Sequence, residues 1–287
     1  MALFEEFSIR GAIEGTAYAH AQGIFIAYPN RIDWKKRYRP KPLRMPDDNG
    51  IYHSVNEFEQ RYQDMKHHHE TMVTKMLDRI RHHAAGRAVL AELKERQSYS
   101  VNIFPFDFLN SSDWAANPIA LTQPVAVPQT AKEIAHDRKP LGTSMCVEGS
   151  CFGFRQASSV ELFYSPHRDS ELADADGTLL HELVHAVRFQ RGNFRSKGKE
   201  VNGGYKNQEE FFANVIEMIY RSEKRQSIFD YRFHPIHADT FLDKPLVPTP
   251  RELLTAFRQQ QGTLFDALVR VEARFNPMRQ MDIEAGN

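Results

Sequence analysis

Cysteine is scarce in this chain: Cys146 and Cys151 are the only two in 287 residues. At most one small disulfide can form, two free thiols serve equally well, and cysteine usage leaves the compartment open. An excess of charge of either sign is also missing. Thirty-seven basic residues are matched by 37 acidic ones, for a formal net charge of zero. That argues against wholesale binding to nucleic acid or to an anionic membrane. No apolar run approaches the roughly 20 residues needed to cross a bilayer, so no membrane span is expected. The opening MALFEEFSIRG is acidic where a secretory signal would be basic and then apolar. The expectation is a soluble chain made in the cytoplasm, whose work elsewhere would require dedicated export without a cleaved signal.

What is present suggests one large domain with an appended segment. Residues 1–52 combine a strand-like stretch, GIFIAYP at 23–29, with the basic, proline-punctuated run RIDWKKRYRPKPLRMP at 31–46. The latter reads as a solvated arm or linker. Residues 53–287 read as the main domain. Ser54 with Glu57 three residues on is a capping-box signature. The helical pattern then runs to about 81, pauses near His82-His83-Ala84-Ala85-Gly86 and resumes over RAVLAELKER. His67, His68 and His69 resemble a metal cluster in composition, but consecutive residues point to different faces of a helix, so they read as structural or surface histidines. Strands are expected at 100–106 and 158–165, with a long loop region from 107 to about 150 between them. In a peptidase the second strand would offer its edge to an extended substrate. The stretch TPRELLTAFRQQQGTLFDALVRVEARFNP reads as two amphipathic helices around Gln261-Gly262 that pack on the core. The sum is an α+β fold, mainly helical, with a small twisted sheet beside the helix at 177–191.

That helix, GTLLHELVHAVRFQR, organises the rest. His181 and His185 are four apart and therefore lie one above the other on one helix face, where a single tetrahedral Zn²⁺ can take both. Glu182 lies between them in HExxH and is placed to act as general base. Leu180, Leu183, Val184 and Val187 give the helix a buried side, Asp174 and Asp176 are capping candidates, and Gly192 supplies a stop. A catalytic zinc normally has three protein ligands and one open position. A third histidine at HExxHxxGxxH is excluded, because Arg188 and Arg191 stand where Gly and His would be needed. The alternative is a carboxylate on the following helix, QEEFFANVIEMIYRSEK. Phe211, Val215 and Met218 mark its core side, while Glu210, Ala213, Asn214 and Glu217 share another face. Glu209 and Glu210 are both available there, and periodicity does not choose between them.

HELVHA followed by YKNQEEFFANVIEMIYRSEK resembles the NleD-like bacterial effector zinc metalloproteases. EEFFAN is similar to the catalytic domain of anthrax lethal factor, and type VI secretion metallopeptidase toxins share the same core pattern. The resemblance covers roughly residues 75–224. It implies a zincin-like fold, one Zn²⁺ per chain and Glu210 as third ligand, with Tyr205 near an active-site tyrosine position. It further implies a protein or peptide substrate, export from the bacterial cytoplasm by a dedicated secretion system, and a secretion chaperone, adaptor or immunity protein as partner. In that chemistry Glu182 moves the proton and a further donor holds the oxyanion, with Tyr205 first among Tyr205, Tyr231, His234 and His237. Asn214, four residues after Glu210, is expected to orient a ligand. Arg188, three residues after His185, is expected at the rim of the cleft, able to touch substrate. Two other readings compete: a housekeeping intracellular zinc peptidase or amidase, and a zinc-stabilised binding module without catalysis.

Overall fold

The computed structural model describes residues 13–29, 55–95, 99–105, 120–124, 159–164, 175–194, 205, 207–228 and 240–286. Five strands are found among these: β1 (Ile13–Ala17), β2 (Ile24–Pro29), β3 (Val101–Phe104), β4 (Ala120–Pro124) and β5 (Val160–Tyr164). They form one mixed sheet in the order β1-β2-β3-β5-β4. β1 and β2 make an antiparallel hairpin, β2, β3 and β5 run parallel, and β4 lies antiparallel on the outer side of β5. Every residue of β3 and of β5 is buried, including the paired polar residues Asn102 and Glu161, so both faces of these inner strands are covered.

Three expectations change here. Residues 13–29 belong to the same sheet as β3 and β5, not to a segment apart from the main domain. The region from 107 to 150 is not loop throughout, since β4 lies within it. And β5 has no edge to offer, because β3 and β4 flank it. The physical reason is shared. Strand pairing is decided by partners far away in sequence, and a five-residue strand such as ALTQP carries too little alternation to announce itself.

Seven helices accompany the sheet among the described residues: α1 (Val55–His82), α2 (Ala84–Glu95), α3 (Ala175–Gln190), α4 (Gln208–Glu223), α5 (Pro250–Gln260), α6 (Gly262–Val269) and α7 (Pro277–Glu284). The parallel step from β2 to β3 needs a long crossover, and α1 with α2 supplies it. Their break falls at His83, as the sequence pause suggests. Gly86 permits the close approach at this break: a Cβ there would stand 2.0 Å from the Ile80 carbonyl oxygen. The new helix start is capped from a distance, the amides of Ala84 and Ala85 donating to the Glu223 carboxylate at 2.7 and 3.1 Å. His69 is buried and its Nε2 sits 3.1 Å from the Ile103 carbonyl oxygen, while His67 and His68 are exposed, so the histidine run is structural and superficial.

α3 packs against α2, α4 and the sheet, and Leu179, Leu180, Leu183, Val184 and Val187 are buried there. At the far end α5 and α6 flank Gln261, with Leu253, Leu254, Phe257, Leu264 and Leu268 in the core. α7 adds a helix that the sequence pattern does not announce, opened by Asn276, whose side chain accepts from the Arg279 amide, and by Pro277. No described helix is long and apolar enough to cross a membrane.

Candidate metal centre

α3 ends where Gly192 takes a positive φ of 67°, a conformation that β-carbon-bearing residues avoid. Its amide returns to the Phe189 carbonyl at 2.9 Å. Asp176 is not a cap. Its carboxylate is buried within α3 and accepts from the Tyr220 hydroxyl and from Lys224 Nζ on α4. Asp174 lies outside the described residues. α4 begins at Asn207, whose side-chain oxygen accepts from the amides of both Glu209 and Glu210. This cap fixes the first turn, from which the two glutamates leave about 100° apart around the helix axis.

They meet different fates. Glu210 turns toward α3: its Oε2 lies 3.3 Å from His181 Nε2 and its Oε1 3.7 Å from His185 Nε2. The two Nε2 atoms are 3.2 Å apart. His181, His185 and Glu210 thus bring three ligand-type atoms within 4.8 Å of one another, a group able to hold a metal ion. Glu209 turns inward and is 1% exposed. It accepts both arms of the Arg188 guanidinium, Nε to Oε2 at 2.7 Å and Nη2 to Oε1 at 2.9 Å. The same Nη2 also donates to the Asn193 carbonyl and to Gln260 Oε1.

Arg188 is therefore not at the rim of a cleft. It is 0% exposed, its guanidinium 4.9 Å from the centre of the Phe212 ring and 5.8 Å from that of Phe257. Spacing from His185 gives its position along α3 correctly, but its partner sits on another helix and draws the side chain inward. Glu209 likewise is neither a solvated helix-terminus acid nor a contender for the metal.

Asn214 donates from Nδ2 to the Glu210 main-chain carbonyl at 3.1 Å, so it holds the ligand's backbone and not its carboxylate. The carboxylate that meets a histidine side chain of the group is Glu217, two turns beyond Glu210 on the same face. Its Oε2 is 3.1 Å from His181 Nδ1, and its Oε1 accepts from Arg221. Sequence periodicity places Glu217 on that face without giving it a role. The available signal is its seven-residue spacing from Glu210, which returns to the same side of a helix.

Burial and charge act unequally on the two imidazoles. Burial pulls His181 down, but its hydrogen bonds to the Glu210 and Glu217 carboxylates and the charges of Glu217 and Glu182 outweigh it and hold His181 well above its ordinary value. Burial, then the neighbouring His181, push His185 down to about 3. Glu217 stays low although burial raises it, because His181 and Arg221 favour its ionised form. Glu182 is half-buried on α3, close enough to act on His181 through its charge. Phe194 stands edge-on to His185 at 5.6 Å and stacks on Phe189 at 3.9 Å, walling one side. Tyr205 is buried and packs edge-on against Phe211, the neighbour of Glu210, with ring centres 5.2 Å apart. Tyr231, His234 and His237 lie outside the described residues, as do Cys146, Cys151 and the basic run at 31–46.

No protein-family model, no curated protein and no solved structure matches this chain.

Proposed function

We propose that the chain is a zinc-dependent endopeptidase of zincin-like architecture, with His181, His185 and Glu210 as metal ligands and Glu182 as general base. The observation that carries the reading is the ligand spacing. Atoms each about 2.0–2.1 Å from a tetrahedral Zn²⁺ lie roughly 3.3–3.4 Å apart. Here the two Nε2 atoms are 3.2 Å apart, one Glu210 carboxylate oxygen is 3.3 Å from His181 Nε2 and the other is 3.7 Å from His185 Nε2. Two imidazoles and one carboxylate are a donor set that suits zinc, and three protein ligands leave the fourth position for chemistry.

When bound, Zn²⁺ supplies a Lewis acid that acidifies water and polarises a carbonyl at neutral pH. The chain's own residues do the rest. Glu182 takes a proton from the attacking water at its carboxylate and returns it to the departing amine nitrogen as the C–N bond breaks. Glu217 accepts from His181 Nδ1 and so leaves Nε2 as the ligand atom, while Arg221 holds Glu217 in place. β4 is the outermost strand of the described sheet and packs on α3. An extended substrate therefore has a strand edge beside the metal helix to pair with, on β4 and not on β5. Glu182 in its half-buried position also supports a catalytic over a purely structural zinc, since a structural site fills four positions with protein ligands and has no use for a base.

The role as an exported bacterial effector or toxin, with a chaperone, adaptor or immunity partner, rests on the sequence resemblance around α3 and α4. Growth arrest on cytoplasmic expression, or only on direction to the periplasm, would separate it from a housekeeping peptidase.

The metal is tested first. Purified protein is expected to carry close to one Zn²⁺ per chain, and His181→Ala or His185→Ala to lose most of it. Full zinc content in the double variant would overturn the assignment. Glu217→Ala is expected to weaken zinc binding about 10–100-fold with the ligands intact, the usual cost of removing a group that orients a metal-binding histidine. Competition against a fluorescent chelator measures this, and an unchanged affinity would remove Glu217 from the site.

A further inference from the structure

α3 and α4 are bridged by polar contacts at successive levels along their antiparallel run. Asp176 meets Tyr220 and Lys224, His181 meets Glu217, His185 meets Glu210, and Arg188 meets Glu209. Of the ion pairs among them, the last is the one with both partners buried, at 0% and 1% exposure. It also adjoins the metal group on both helices: Arg188 is one helical turn beyond His185, and Glu209 directly precedes Glu210.

Resting on the metal-site reading above, we propose that the Arg188–Glu209 pair is a positioning device that sets the rotation of α4 so that Glu210, and not its neighbour, faces the histidines. Adjacent helix residues differ by about 100° around the axis, so a turn of one residue would exchange the two glutamates. A bidentate guanidinium–carboxylate contact defines orientation as well as distance. Arg188 is itself anchored independently of Glu209. Its Nη2 donates to the Asn193 carbonyl, just past α3, at 2.9 Å and to Gln260 Oε1, at the end of α5, at 2.8 Å. Glu209 is thus clamped by a group already fixed on α3, and the first turn of α4 goes with it. Stability alone does not require this arrangement, since well-packed apolar residues of similar size commonly replace a buried ion pair without loss. What an apolar pair lacks is direction.

The test is Zn²⁺ affinity of the full chain, by chelator competition, alongside metal-free thermal unfolding and the visible spectrum of the Co²⁺-substituted protein. The variant is Arg188→Met with Glu209→Leu. It is expected to melt within a few degrees of wild type, to bind Zn²⁺ at least tenfold more weakly, and to lose intensity in the Co²⁺ bands as Glu210 leaves the coordination sphere. A folded double variant with affinity within twofold of wild type and an unchanged Co²⁺ spectrum would overturn the inference. Should that variant not fold, Arg188→Lys keeps the charge but not the fork. It is expected to weaken Zn²⁺ binding severalfold, and an unchanged affinity overturns the inference equally. If wild type itself binds no metal, the metal-site reading fails and the inference with it; if wild type binds and the variants match it, only the inference fails.

Discussion

Glu182→Gln is expected to bind Zn²⁺ as wild type does, to unfold at the same temperature, and to cut peptide bonds about 10²–10⁴ times more slowly. The amide keeps the shape of the side chain but cannot accept the proton that water must lose. At about 1.4 kcal/mol per factor of ten, the loss corresponds to roughly 3–5 kcal/mol of transition-state stabilisation. None of it should appear in stability, because Glu182 is half-buried at the site and not one of the residues that form the core. New N-termini produced in a protein extract, counted for wild type and variant, give the comparison for whichever substrate the extract contains. The same cuts at an undiminished rate would show that Glu182 is not the base. Loss of zinc together with activity would leave the base unassigned and make Glu182 part of the metal site.

The second large effect falls on stability. Glu209→Ala is expected to cost about 3–5 kcal/mol of folding free energy, the typical result of removing one partner of a buried ion pair and leaving the other charge uncompensated. Arg188 would keep its bonds to Asn193 and Gln260 but lose both contacts to the carboxylate. From sequence alone Glu209 falls toward the packed side or the solvent edge of its helix, and its removal is expected to leave zinc affinity and activity within a few-fold of wild type. Its burial beside Arg188 adds a cost in folding free energy that the sequence does not show. Glu210→Ala provides the contrast. Its side chain is 26% exposed and faces the histidines, so zinc affinity and activity should fall while metal-free stability stays within about 1 kcal/mol of wild type. Urea unfolding of both single variants without metal separates the cases. A Glu209→Ala protein less than about 1 kcal/mol below wild type would mean that the guanidinium finds water or another acid, and that the pair carries little of the helix packing.

Much of the site is legible in the sequence because it depends on geometry within one helix. Two histidines at i and i+4 share a face whatever the helix packs against, and Leu180, Leu183, Val184 and Val187 show which side goes inward. The core faces of α4, α5 and α6 are readable for the same reason. Asn276-Pro277 carries a helix-start signal for α7 that short length conceals. The sequence also places Glu210, Asn214 and Glu217 on one side of α4. It does not determine which of them does what.

Those decisions belong to the tertiary structure. Local spacing gives the angle at which a side chain leaves its helix, but the partner it meets depends on how two helices are rotated against each other. That rotation is set by contacts between residues far apart in the chain. Arg188 and Glu209 are 21 residues apart, and their pairing buries both beside the metal group without either joining it. His181 and Glu217, 36 apart, bring a helix-surface acid onto the second nitrogen of a histidine in the candidate metal group. The sheet follows the same rule: β4 and β5 are each too short to declare a partner, and only their pairing makes β4, not β5, the outer strand among the described residues. The sequence by itself thus determined the two histidines, the glutamate between them and the apolar faces of the helices. Packing between those faces decided which glutamate meets the histidines, which one meets Arg188, and which strand lies outermost.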